Sequence, residues 1–382
     1  MEDLTGSTRE SYWRLRWSFF EQSGYQLRPK FGPTFTKHLK DLDEKALEEY
    51  EAYYSNRCIM DARRISDGKK VMFKRISTRD YPDEVGIALL FSSPPHAGNP
   101  RNHCIPILEV LQDPLDDDKQ ILVMPLLITF TRPRFDTVGE VVDCFRQIFE
   151  GIQYMHENFV AHRDCGINNI LQDPTRLFPA GFYPMRPWWD FAADKFARTI
   201  TRTQCWPRYY IIDFGLSRQY DPADGLPFED VIRGGDKSPP EYKWVACNPF
   251  PTDIYVLGNL LKEKFLYSRR RWRFLEPLVN DMIQPDHAKR PTIGEVIERF
   301  DELCCKLSSW HLRRPGEQCH PLGYPAQCWR QLKRFITRVA PVPPYTAPRA
   351  ASLGEEMRAF YTITPDQARE ALVARELSGS PR

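Results

Sequence analysis

Three oxygen-bearing side chains stand out by order and spacing. His162-Arg163-Asp164 is followed five positions later by Asn169, and the apolar run Tyr209 to Ile212 ends in Asp213-Phe214-Gly215. A carboxylate such as Asp164 can accept or orient the proton of a hydroxyl. An amide oxygen and a second carboxylate, those of Asn169 and Asp213, are hard ligands suited to magnesium beside phosphates. The set implies transfer of a phosphoryl group to a hydroxyl. His-Arg-Asp alone would read as a surface loop with an incidental ion pair; the ordered series is far more specific.

Such groups need a rigid seat, and the flanking sequence offers one. Thr137 and Glu140 have capping-box spacing. Behind them Val138, Val141, Val142, Phe145, Ile148, Phe149, Ile152 and Met155 recur at helical period, which predicts a long buried helix leading into the loop. Helices are also expected over Ile254–Phe265, Phe274–Met282 and Thr292–Leu303. Upstream the pattern is strand-rich. Ile59–Ile65 and Lys70–Ile76 flank the turn Asp67-Gly68, and Ile105–Leu111 and Gln120–Met124 read as two more strands, with a short helix over Asp83–Phe91. Residues 42–54 and a segment from Thr364-Pro365 to about Leu377 are further helical candidates.

The 382 residues are 42% hydrophobic, enough for one large domain with extensions. A formal charge of +2 gives no reason to expect a nucleic-acid or membrane partner. No run of about 18 apolar residues occurs, and the opening Met1-Glu2-Asp3 is not that of a secretory signal. Ten cysteines lack a regular frame, so reduced thiols in cytoplasm or nucleus are the expectation. Cys304-Cys305, Cys319-His320 and Cys328 cluster without the paired spacing of structural zinc.

From about Ile59 to Phe300 the chain resembles a eukaryotic protein kinase domain, and specifically the fungal-type protein kinase family. The resemblance rests on motifs in kinase order. Val71-Met72-Phe73-Lys74 resembles the strand whose lysine contacts nucleotide phosphates, and Glu84 the helix glutamate that pairs with it. Asn102 to Ile107 is similar to the segment entering the fourth strand, and Met124-Pro125-Leu126-Leu127 to the gatekeeper and hinge. Pro239-Pro240-Glu241 stands where kinases end the activation segment, Arg290 where an arginine pairs with that glutamate, and Asp253 where an aspartate braces the catalytic loop. The resemblance implies an α+β, two-lobed fold: a small antiparallel sheet with one helix, then a larger helical lobe. It implies an N-terminal extension over 1–55, small lobe over 56–127, large lobe over 128–309 with an insertion at 173–208, and a partly disordered tail over 310–382. Asp164, Lys74 and Asn169 would be catalytic; Lys74, Glu84, Met124, Leu126, Leu127 and Leu171 would hold ATP; Asn169 and Asp213 would hold Mg2+. His162 would pack under Phe214.

The chain also departs from that pattern. No glycine lies between Leu42 and Asp67, where a glycine-rich phosphate cover is expected. Gly166 stands where serine/threonine kinases carry a lysine, and losing such a cation is worth about 3 kcal/mol of transition-state stabilisation. Met72 replaces the alanine that roofs adenine. The insertion holds Trp188, Trp189, Phe191, Phe196 and Trp206, aromatics expected to pack on the domain itself or form a docking surface. Between Asp213 and Glu241 there is no threonine, so Arg163 is expected to meet Ser238, if phosphorylated, or the charge of Glu229, Asp230 or Asp236. Two readings follow. One is an ATP-dependent kinase acting on serine or threonine of a protein substrate; the other is a pseudokinase scaffold. A small-molecule kinase is disfavoured by Phe214-Gly215, Glu241 and Arg290. Oligomeric state is left open.

Overall fold

The computed structural model describes residues 8–33 and 56–316, apart from 185, 187–188, 191–194, 225–226, 228, 231–234, 244–245 and 268–269, together with 329, 332–333, 335–336 and 339–343. The helices expected over 42–54 and 364–377, Trp188, Phe191, and the Cys319, His320 and Cys328 group lie outside the described residues. The chain forms two compact units. One draws on stretches 1–92, 105–128 and 173–200, the other on 93–104, 129–172 and 201–382.

The first unit is built on an antiparallel sheet. Two short helices, α1 (Thr8–Arg14) and α2 (Trp17–Gln22), precede β1 (Tyr25–Leu27). Then come β2 (Ile59–Arg64), β3 (Lys70–Ser77), α3 (Glu84–Ser92), β4 (Glu109–Gln112) and β5 (Lys119–Pro125), with spatial order β1-β2-β3-β5-β4. Gly68 takes φ +71° in the β2–β3 turn, which the absence of a Cβ permits. The strand expected over 105–111 starts only at Glu109: Pro106 has no N–H for the ladder, and the Ile107 N–H is taken by Ser92 Oγ at 2.8 Å.

One face of this sheet is dry. Val71, Phe73, Ile121 and Val123 meet Trp13, Phe20, Tyr25, Leu27 and Phe31 in one buried cluster. Phe20 and Phe73 stack with ring centroids 4.8 Å apart. The N-terminal helices are fastened by Arg16, whose guanidinium bonds both carboxylate oxygens of Asp113 at 2.8 Å. Tyr12 lies between the guanidinium groups of Arg16 and Arg75, 3.8 and 4.2 Å from its ring centroid, and its hydroxyl also donates to Asp113. Residues 8–33 thus supply an edge strand and part of the core of the sheet unit.

The second unit is mainly helical. Its main elements are α4 (Val138–Glu157), β6 (Val160–Ala161), β7 (Ile170–Gln172), β8 (Tyr209–Ile211), β9 (Arg218–Gln219), α5 (Pro249–Leu261), α6 (Glu276–Met282) and α7 (Ile293–Cys305). Sheet unit and helical unit together give the α+β, two-lobed kinase-like fold expected from the sequence. Helix α4 is buried on nearly every side. Its cap is only half the expected box. Thr137 Oγ accepts from the Glu140 N–H, but Glu140 bonds the N–H of Asp136 at 2.7 Å and both donors of Thr203. Helix α5 begins at Pro249, earlier than expected, because Asn248 caps it and Pro249 and Pro251 fall in the first turn, where no N–H is required. A π-helical turn, Lys262–Leu266, follows. Helix α7 has a full capping box from Thr292 and Glu295.

Of the insertion, Leu177, Phe178 and Phe182 are buried, whereas Phe196, stacked on Trp189, is 75% exposed. Its last part is anchored by the buried Arg202, which donates to Gln172 Oε1, Phe130 O and Arg134 O and covers the Phe135 ring.

Glu241 and Arg290 form the expected buried pair, with both oxygens bonded at 2.6 Å. Burial alone would raise the Glu241 carboxyl, but the Arg290 bonds and charge outweigh it and hold it below its usual value. Arg290→Met strands a buried carboxylate and is expected to lose about 3–5 kcal/mol in urea unfolding, while adding Glu241→Leu recovers most of the loss. Asp143 is a second buried acid. Burial pushes it up to about 7 despite Arg146 and a bond from Gln147. Between its ordinary 3.8 and 7 the native state binds the extra proton, so stability falls as pH rises through that window. Asp143→Asn is expected to raise Tm at pH 8 and leave it nearly unchanged at pH 4; an equal shift at both would contradict this.

Candidate active site

The loop between β6 and β7 carries Asp164 and Asn169 and is suspended from one residue. Asp253, in the first turns of α5 and fully buried, accepts the N–H of Arg163 at 2.7 Å on Oδ1 and the N–H of His162 at 2.8 Å on Oδ2. Oδ2 also accepts from His156 Nε2 at 3.0 Å. His156 was missed from sequence. The available signal was a titratable side chain continuing the apolar stripe of α4 just past Met155.

His162 is locked at both ring nitrogens. Nε2 donates to Ile212 O at 3.0 Å, and Nδ1 accepts the Asp164 N–H at 3.2 Å. Its ring lies 5.9 Å from that of Phe214, as anticipated. The bond to Ile212 ties the loop to the segment carrying Asp213.

Asn169 Nδ2 donates to both the main-chain O and Oδ2 of Asp164, each at 2.8 Å. With its nitrogen so engaged, Oδ1 is the atom of the Asn169 amide that could ligate a cation. Asp213 accepts the N–H of Gly215 at 3.4 Å. Among the described residues no group of three or more His, Cys, Asp or Glu side chains could by itself hold a metal ion. The donor set nevertheless fits magnesium, which takes one or two protein oxygens and completes its shell with phosphate and water. Burial raises the Asp164 carboxyl; the Asp213 and Asp253 charges add to this, against His162 and the Asn169 bond.

Arg163 and Asp213 both adopt φ +68°, a left-handed conformation costing about 1–2 kcal/mol for a non-glycine residue. Their surroundings hold them there. Arg163 is fixed by Asp253 through its N–H and by Asp230 O at 2.8 Å and Leu216 O at 3.3 Å through its guanidinium. Glu229 supplies the facing charge at 3.7 Å. Of the candidates for this role, Asp236 and Ser238 instead meet the Asn259 amide, at 2.8 and 3.1 Å. A cavity of about 770 Å³ opens beside Asp164, lined also by Gly166, Asn169, Gly235, Asn259 and Lys264.

In the sheet unit Lys74 bonds Glu84, the first residue of α3. Glu84 is 3% exposed, and its place in the first helical turn favours the carboxylate. Pairing sets Lys74 opposite Ile59 and Leu122, and Met72 opposite Asp61 and Met124, so these residues share one face of the sheet. Asp61 was not anticipated there; it is buried and lies 3.2 Å from Arg28 Nε. Met124 and Leu127 are buried and Leu126 half-buried. Leu171, half-buried on β7 opposite Tyr210, belongs to the helical unit. The connection between the first two strands runs from 28 to 58 and holds a single glycine, Gly32.

Comparison with known proteins gives two weak similarities. The chain is 26% identical over 146 residues to serine/threonine-protein kinase CAK1 of Saccharomyces cerevisiae, a match covering 36% of this chain and 32% of the yeast protein. It is 23% identical over 236 residues to the "Putative serine/threonine-protein kinase" of Acanthamoeba polyphaga mimivirus, covering 52% of this chain and 73% of the viral one. The chain thus spans about a third of the yeast relative. No family model matches. Taken with the fold, the two similarities support a protein kinase domain.

Proposed function

We propose that this chain is an ATP-dependent protein kinase that transfers the γ-phosphate to a serine or threonine hydroxyl, of the fungal-type family. The observation that carries the reading is the Asp164–Asn169 pair on a loop whose backbone hangs from Asp253. Asp164 would orient the acceptor hydroxyl and receive its proton as the new oxygen–phosphorus bond forms and the bond to the departing ADP oxygen breaks. Lys74, held by Glu84, would bind nucleotide phosphates, and Met72, Met124, Leu126, Leu127 and Leu171 would meet the adenine. Asn169 and Asp213 would hold magnesium, which supplies charge neutralisation at the phosphates when bound. The ten cysteines fall at irregular spacings, which favours a reducing cytoplasmic or nuclear setting. Among the described residues no helix is long and apolar enough to cross a membrane.

A scaffold without transfer is the second reading, favoured by Gly166 and by the single glycine in the 28–58 connection. Thermal shift with millimolar Mg-ATP is expected to raise Tm, and phosphate incorporation into a generic basic protein is expected to vanish in Asp164→Asn. No shift would favour the scaffold; equal incorporation by both proteins would rule out the role given to Asp164. Because Glu229 already faces Arg163, phosphatase treatment is expected to leave the rate unchanged. Glu229→Gln is expected to lower it about tenfold, on the order of 1–2 kcal/mol for a lost charge-assisted contact.

A further inference from the structure

A carboxylate that must meet a hydroxyl has one soft degree of freedom, its χ2 rotation, whose well is broad. Asn169 holds Asp164 Oδ2 at 2.8 Å, but the two oxygens turn together about Cβ–Cγ and a single hydrogen bond limits that rotation only weakly. The opposite side is closed by backbone. Gly235, at φ +69°, lies directly against the carboxylate: a methyl group built there would overlap Oδ1, standing 2.9 Å from Cγ and 3.5 Å from Oδ2. Gly166 is different, since a methyl there would sit 4.0 Å from Oδ1, an ordinary contact.

We infer that Gly235 is a positioning residue whose bare backbone forms the second jaw, opposite Asn169, that fixes the Asp164 carboxylate. Two requirements converge on glycine, a left-handed φ and no room for a Cβ. Any side chain at 235 displaces the carboxylate from its place beside the cavity, and misplacement by about 1 Å at such a centre is worth on the order of 100-fold in rate. The inference rests on the role proposed for Asp164, but the contact itself does not.

Gly235→Ala is expected to lower kcat about 10–100-fold with the KM for ATP unchanged. Gly24→Ala serves as the strain control. Gly24 has φ +86° with nothing within 4 Å of a built Cβ, so that variant bears the left-handed strain without the overlap and is expected to keep the wild-type kcat. A thermal-unfolding cycle tests the contact without any need for activity. Gly235→Ala is expected to lower Tm more in the wild-type background than in Asp164→Ala, where the overlapping oxygen is gone. Equal losses in the two backgrounds, or a wild-type kcat in Gly235→Ala, would overturn the inference. Unequal losses in a protein that transfers no phosphate would support the contact and overturn the kinase reading instead.

Discussion

The helical unit depends on one carboxylate. The Asp253 carboxylate accepts from three nitrogens deep in the protein, two of them consecutive backbone N–H groups of the loop that carries Asp164, and also meets the Cys165 thiol. A buried carboxylate is tolerable only when its lone pairs are engaged, and each loop N–H would otherwise be an unsatisfied donor. The same bonds hold Arg163 in its left-handed conformation. Removing that acceptor would release strain, two donors and the His156 imidazole together, so the loop is fixed by mutual necessity rather than by the strength of a single contact.

Much of this was legible because it is written in short, ordered motifs. The stripe from Val138 to Met155 predicted α4, and Asp67-Gly68 predicted the hairpin, since both signals are local. Lys74 with Glu84, Arg290 with Glu241, and His162 beneath Phe214 were readable only through resemblance, because nothing local says that residues 10 to about 50 positions apart, on different elements, will meet. The partial failures share one cause. Glu140 was expected to close its own capping box but is taken by Asp136 and Thr203, and Asp236 was weighed for Arg163 but is taken by Asn259. In each case another donor outcompeted the expected one. Asp61 was missed because a lone acid in a strand carries no pattern, and His156 because the apolar stripe it continues does not say which acceptor its ring will meet.

Charge in the helical unit follows a consistent economy. Arg163, Arg202 and Arg290 are buried, and each is met by several acceptors: carbonyl oxygens throughout, with carboxylates facing Arg163 and Arg290. The planar guanidinium suits such multiple contacts, where a lysine would offer a single point charge. Asp143 is the exception, a buried acid whose burial outweighs the nearby Arg146 charge.

The N-terminal aromatic helices have a consequence for the outline of the domain. Residues 25–27 occupy the edge of the sheet, and Trp13 and Phe20 cover Phe73. A polypeptide beginning at residue 56 would keep every motif of the Lys74 face, yet it would leave β2 as a bare edge with open N–H and C=O groups beside an uncovered aromatic surface. Such an edge recruits other strands. The segment that carries no motif therefore separates a unit with a covered edge from one prone to strand-by-strand self-association.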